Sequence, residues 1–155
     1  MFTWRPEMSV GHPDIDRDHR HLVELLNAFE GAAGREPSQA VLHDTLLKLQ
    51  DYAIDHFGRE EAIQREAGYP FLVEHKHEHD ALVERLTDFA KTYFISRRRP
   101  VDRAVLTEFA AFLREWFVVH TMGADLRMKG WVGVKPAERV SPSPPAAPAA
   151  RRGGR

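Results

Sequence analysis

Four stretches of this chain repeat apolar residues at alternating spacings of three and four, and histidine interrupts every one of them. The first runs Ile15, His19, Leu22, Leu26, Phe29; the second runs Leu42, Leu46, Leu49, Ala53, His56, Glu60, Ile63. The third is Leu72, His75, His79, Leu82, Leu86, Phe89, Tyr93, and the fourth is Leu106, Phe109, Leu113, Trp116, His120. This spacing lays a stripe along one face of an α-helix, the face that a bundle buries. Five histidines lie on the stripes, whereas random placement of the helical ones would put about two there. In HKHEH, residues 75–79, positions i and i+4 share a helix face, so His75 and His79 point inward together and His77 points away. His21 and His43 are off the stripes like His77 and read as solvated surface residues, while His12 sits in an irregular arm and carries no signal.

Turn residues set the element boundaries. Pro6, Gly11 and Pro13 keep residues 1 to about 15 irregular, and Asp14 or Asp16 then caps a first helix that ends near Gly31 and Gly34. A second helix starts at Ser38 and reaches Gly68, with Gly58 inside it costing about 1 kcal/mol. A third spans Phe71 to Phe94 and a fourth Val101 to Thr121, with Arg97, Arg98 and Arg99 forming a charged turn between them. Four helices joined by short turns predict an all-α, antiparallel up-down-up-down four-helix bundle over residues 1–132. Residues 133–155, which include SPSPPAAPAARRGGR, have almost nothing to bury and read as a disordered tail.

Several function classes are excluded by composition. With no cysteine, disulfides, thiolate catalysis and Cys-based metal sites are absent, and a net charge of -1 gives no electrostatic reason to expect nucleic acid. No apolar run approaches the ~20 residues of a membrane span, and no secretory leader pattern opens the chain. A cytoplasmic monomer is the expectation.

A single inward histidine is ordinarily a core residue with a hydrogen-bond partner. Five at one level are different, because each buried imidazole without a partner is costly. His19 is early in its helix, His56 and Glu60 late, His75 and His79 early, and His120 late, so an antiparallel arrangement gathers them at one end. Glu60 on a stripe is a further anomaly, and Asp125 lies just beyond His120. A metal resolves both difficulties, since it takes neutral imidazole and ionised carboxylate. Seven donors exceed the four of tetrahedral zinc and are too nitrogen-rich for calcium or magnesium. They suit two six-coordinate ions bridged by both carboxylates, with iron favoured and manganese and cobalt left open by the donors alone.

At these residues the chain closely resembles the hemerythrin family, specifically the single-domain bacterial hemerythrins. The matching segments are IDRDHRHL at 15–22, HFGREE at 56–61, GYPFLVEHKHEH at 68–79 and WFVVHTMGAD at 116–125, within a resemblance covering about Trp4 to Trp131. The resemblance implies two non-heme irons bridged by Glu60, Asp125 and an oxo or hydroxo ligand. It assigns His75, His79 and His120 to one iron, and His19 and His56 to the other, which keeps an open position for dioxygen. Leu22, Phe57, Trp116 and Phe117 would form an apolar wall around that position. Where the family usually has isoleucine this chain has Thr121, whose hydroxyl could bond the ligand or admit water. Met122 and Gly123 are expected to make that helix end flexible.

Reversible dioxygen binding for storage, delivery or sensing is therefore the expected function, without turnover and with weak redox side activity at most. The competing reading is a di-iron enzyme that reduces dioxygen, peroxide or nitric oxide. Carboxylate-rich di-iron oxidases carry Glu-x-x-His on two helices, and here the only such pair, Glu74 with His77, is off the stripe. A third reading gives the tail, with Arg151, Arg152 and Arg155, a protein partner; a solvated linker is the simpler expectation.

Overall fold

The computed structural model describes residues 1–35, 38–96 and 100–133, so the Arg97–Arg99 turn and the tail from residue 134 lie outside the described residues. The described chain is all helical. After a 3-10 turn at Pro6–Met8 come α1 (Pro13–Arg35), α2 (Gln39–Ala67), α3 (Leu72–Ala90) and α4 (Arg103–Glu115). The four pack as the antiparallel bundle that the stripes predict, and among the described residues no helix is long and apolar enough to cross a membrane.

Local chemistry explains the helix ends. Ser38 caps α2 by accepting a hydrogen bond from the Val41 N–H, and Asp102 caps α4 by accepting one from the Val105 N–H. Gly68 closes α2 in the left-handed conformation (φ 65°), and its N–H and that of Tyr69 reach back to the carbonyls of Arg65 and Gln64. The start of α1 departs from expectation. It begins at Pro13, whose fixed φ suits a first helical position, and neither Asp14 nor Asp16 is the cap. Asp16 instead turns outward to the arm, accepting from the Val10 N–H (2.8 Å) and the Ser9 hydroxyl (2.5 Å).

The fourth helix also departs. It does not stop near Thr121: the α-helix widens into a π-helix over Trp116–Ala124, tightens to a 3-10 turn at Asp125–Met128, and ends as a short α5 (Lys129–Val132). Met122 and Gly123 are thus inside a helix. A shorter π turn, Lys91–Ile95, finishes α3 and keeps Tyr93 buried.

The core has two apolar bodies. The larger fills the bundle from Leu22, Phe57 and Trp116 down to Leu42, Leu86 and Phe109. The smaller joins Val10 of the arm, Ile15, Ala67, Tyr69, Met128 and Val132. His19 falls between Ile15 and Leu22, and His120 and Asp125 between Phe117 and Met128, so a polar layer lies between the two apolar bodies. The arm continues past the smaller plug and along α1. Asn27 holds the Phe2 backbone by two hydrogen bonds (2.7 and 2.8 Å), and the Phe2 ring packs 4.8 Å from Phe117.

Phe109 is fully buried and meets Phe29 and Phe89 edge to face. Phe109→Ala should destabilise the protein by about 3–5 kcal/mol, read as a lower denaturant midpoint with unchanged slope.

Candidate metal centre

The structure brings all seven predicted donors together at one end of the bundle, each no more than 3% exposed. His19 comes from α1, His56 and Glu60 from α2, His75 and His79 from α3, His120 from the widened continuation of α4, and Asp125 from the 3-10 turn that follows it. Their donor atoms form two groups, each compact enough to hold one ion. One is His75, His79, His120, Glu60 and Asp125; the other is His19, His56, Glu60 and Asp125.

Both carboxylates divide their oxygens between the groups. Glu60 Oε1 lies 2.6 Å from His75 Nε2 and 3.3 Å from His79 Nε2, while Oε2 lies 3.5 Å from His56 Nε2 and 3.8 Å from His19 Nε2. Asp125 Oδ1 lies 3.2 Å from His120 Nε2 and 3.3 Å from His75 Nε2, and Oδ2 lies 3.0 Å from His19 Nε2. All five imidazoles present Nε2 to the centre. Despite these distances, Nε2 of His19, His79 and His120, Oε2 of Glu60 and both oxygens of Asp125 are buried without an aligned hydrogen bond. Buried polar atoms left so are rare. A pair of metal ions at the middle would take every one of them, so the residues fit the di-iron group that the sequence implies.

Three histidines also have a carboxylate near their outer nitrogen. Glu61 pairs with His79 Nδ1 (3.0 Å) and Glu78 with His120 Nδ1 (3.1 Å), and Asp18 lies 3.5 Å from His56 Nδ1. Asp18 is itself held by Arg59, and Glu78 by Arg127 (3.1 Å). The hydrogen bonds to Glu61 and Glu78 fix ring orientation and tautomer so that Nε2 of His79 and His120 faces the centre. Gln64, buried one turn beyond Glu60, donates to Glu60 Oε1 (3.1 Å) and to Met128 Sδ (3.2 Å). Sequence reasoning missed all of these. Gln64 was findable, being polar four residues from Glu60; Asp18, Glu61 and Glu78 look like ordinary surface charges.

The pocket candidates are buried as well: Leu22 0%, Phe57 5%, Trp116 1%, Phe117 1% and Thr121 1% exposed. Phe57 stacks on His79 at 3.8 Å. The wall is not purely apolar, however, because the Thr121 hydroxyl, the Trp116 indole N–H and the Tyr52 hydroxyl are all buried without a partner.

Residues 10–132 match the hemerythrin HHE cation-binding domain. The chain belongs to the hemerythrin family. Among its relatives, the bacteriohemerythrin of Stenotrophomonas maltophilia is 26% identical over 81% of this chain and 77% of its own length. That of Clostridium acetobutylicum is 33% identical over 57% of this chain and 71% of its own. A crystal structure of wild-type hemerythrin superimposes with a TM-score of 0.73 at 25% identity, covering 86% of this chain and 99% of that one. Hemerythrin membership places the chain, at the level of the family, among di-iron oxygen-binding proteins.

Electrostatics within the layer are balanced. Burial opposes charge on His19 and His75, but the adjoining Asp125 and Glu60 carboxylates outweigh it and raise them to about 9 and about 10. Burial likewise opposes ionisation of Glu60, yet His19, His75 and His79 hold it well below the usual carboxylate range. With folded values above 7, His19 and His75 carry protons at pH 7 in protein stripped of metal, and a metal must displace them. Loading at pH 7 should therefore release at least two protons per chain. Calorimetry in buffers of different ionisation enthalpy measures the number; release of none would contradict the assignment.

Proposed function

We propose that the seven side chains hold two iron ions and that the protein binds dioxygen reversibly, for storage, delivery or sensing, without turning over a substrate. The observation that carries this reading is the division of Glu60 and Asp125, one oxygen of each toward the three-histidine group and the other toward the two-histidine group. Two ions shared in that way leave the two-histidine side one protein donor short, and that side is where a small ligand fits. When bound, the irons supply the electrons and the open coordination position that dioxygen requires.

The chain's own contribution is placement and exclusion. Glu61 and Glu78 hold the His79 and His120 rings in register, and Gln64 holds Glu60. Leu22, Phe57, Trp116 and Phe117 keep bulk water out of the pocket, which slows escape of a charged, reduced form of the ligand and so favours reversal. The donor set supports binding over oxidative turnover. Five imidazoles and two carboxylates hold the ferrous state more firmly than a carboxylate-rich site does. Glu74 and His77, the one Glu-x-x-His pair, are both exposed on α3.

Visible spectra with iron analysis test the reading. We expect about two irons per chain and a ligand-to-metal band that appears with oxygen and vanishes under argon. A band that never reverses would favour redox chemistry, and absence of iron would overturn the site.

Thr121 gives a sharper test. Its hydroxyl is buried without a partner in the pocket, so it lowers the barrier to water entry. Thr121→Ile should slow autoxidation several-fold, followed as decay of the oxygenated spectrum; an unchanged rate would show that the hydroxyl has no part in it.

A further inference from the structure

We propose that the Tyr52 hydroxyl donates a hydrogen bond to a small ligand bound on the two-histidine side of the centre, and so favours ligands that accept one, small anions above all. The proposal rests on the metal reading above and adds to it a residue that neither the stripe pattern nor the resemblance singles out. Tyr52 is on α2, one turn before His56, and only 6% exposed. Its ring stacks on His56 at 5.0 Å and 23°, and lies 6.1 Å from Trp116, a member of the expected ligand wall. His56 in turn meets His19 at 5.0 Å, so Tyr52 lies directly against the imidazole pair with the smaller donor set.

The hydroxyl is the anomaly. It is fully buried and has no hydrogen-bond partner. Tyrosine brings a polar tip into a core at a cost that a partner ordinarily offsets. Were Tyr52 only packing, phenylalanine would fill the same space without that cost. Ring contacts place it: held between His56 and Trp116, Tyr52 borders the side of the centre where His19 and His56 meet. A phenol is protonated at neutral pH, so toward an incoming ligand it acts as a donor.

Access fits the same position. Tyr52 and His56 form the inner wall of a surface cleft of about 270 Å³ whose rim carries Lys48, Arg59, Asp51 and Asp55. The ring thus lies between that cleft and the His19–His56 pair.

The test compares full-length, iron-loaded wild type with Tyr52→Phe, using azide on the diferric protein as the probe. Iron content, the azide dissociation constant and the azide infrared stretch in water and deuterium oxide are measured, with thermal unfolding of metal-stripped protein as a fold control. We expect Tyr52→Phe to keep its iron and its unfolding temperature, to bind azide about tenfold more weakly, as loss of one hydrogen bond to a charged acceptor implies, and to lose the solvent-isotope shift of the stretch. Equal affinity and an equal isotope shift in the two proteins would overturn the role of Tyr52 while leaving the metal reading intact. Wild type that holds no iron would overturn that reading, and the inference with it.

Discussion

Two ionised carboxylates, Glu60 and Asp125, are at zero exposure in the middle of a helical bundle, and the rest of the fold is arranged around making that tolerable. An isolated buried carboxylate is so unfavourable that it ordinarily takes up a proton instead. Here five imidazoles must converge on the pair, and they come from four separate helical segments. That demand fixes the antiparallel order of the helices, because only alternation brings the start of α1 and α3 to the same end as the finish of α2 and α4. It also explains the two apolar plugs. Val10, Ile15, Met128 and Val132 close the layer on one side and the main core closes it on the other, so the central atoms are buried.

The widening of α4 has the same origin. His120 and Asp125 are five residues apart, and at about 100° per residue an α-helix would turn them roughly 140° away from each other. In the π-helix the Asp125 N–H bonds to the His120 carbonyl five residues back, and the extra residue per turn swings both side chains toward the centre. Asp125 Oδ1 then lies 3.2 Å from His120 Nε2. A helix of this kind is uncommon, and its place at the site accords with the general association of π turns with function.

What could be read from the sequence follows from these geometries. The four stripes and the five inward histidines were legible because α-helical spacing is the same for apolar and metal-ligating residues; the seam that finds Leu46 also finds His56. Asp125 was not legible by spacing, since an α-helical count puts it off the seam, and it entered only through its nearness to His120 and the family likeness. The end of α4 was misread for the same reason. The arm was readable as irregular but not as part of the core, because Phe2, Trp4, Met8 and Val10 follow no helical spacing. Glu61, Glu78 and Asp18 were invisible for a different cause: what separates them from other surface acids is the ring behind them, and sequence does not show it.

The same limit applies to the pocket. The family likeness makes Leu22, Phe57, Trp116 and Phe117 the expected apolar wall, and all four are buried. Yet three polar atoms, from Tyr52, Trp116 and Thr121, are buried in or beside that wall with nothing to bond. A dry pocket and a hydrogen-bonding pocket pull reactivity in opposite directions. The first slows escape of a charged ligand and leaves it unassisted; the second stabilises charge on it. Which effect dominates depends on where the donors sit. Tyr52, beside His56 and one wall away from solvent, can stabilise charge without opening the pocket, whereas Thr121 occupies a position where a larger apolar side chain would seal it. On the proposed function, the donor set favours holding oxygen over reducing it, and the two hydroxyls would adjust that balance.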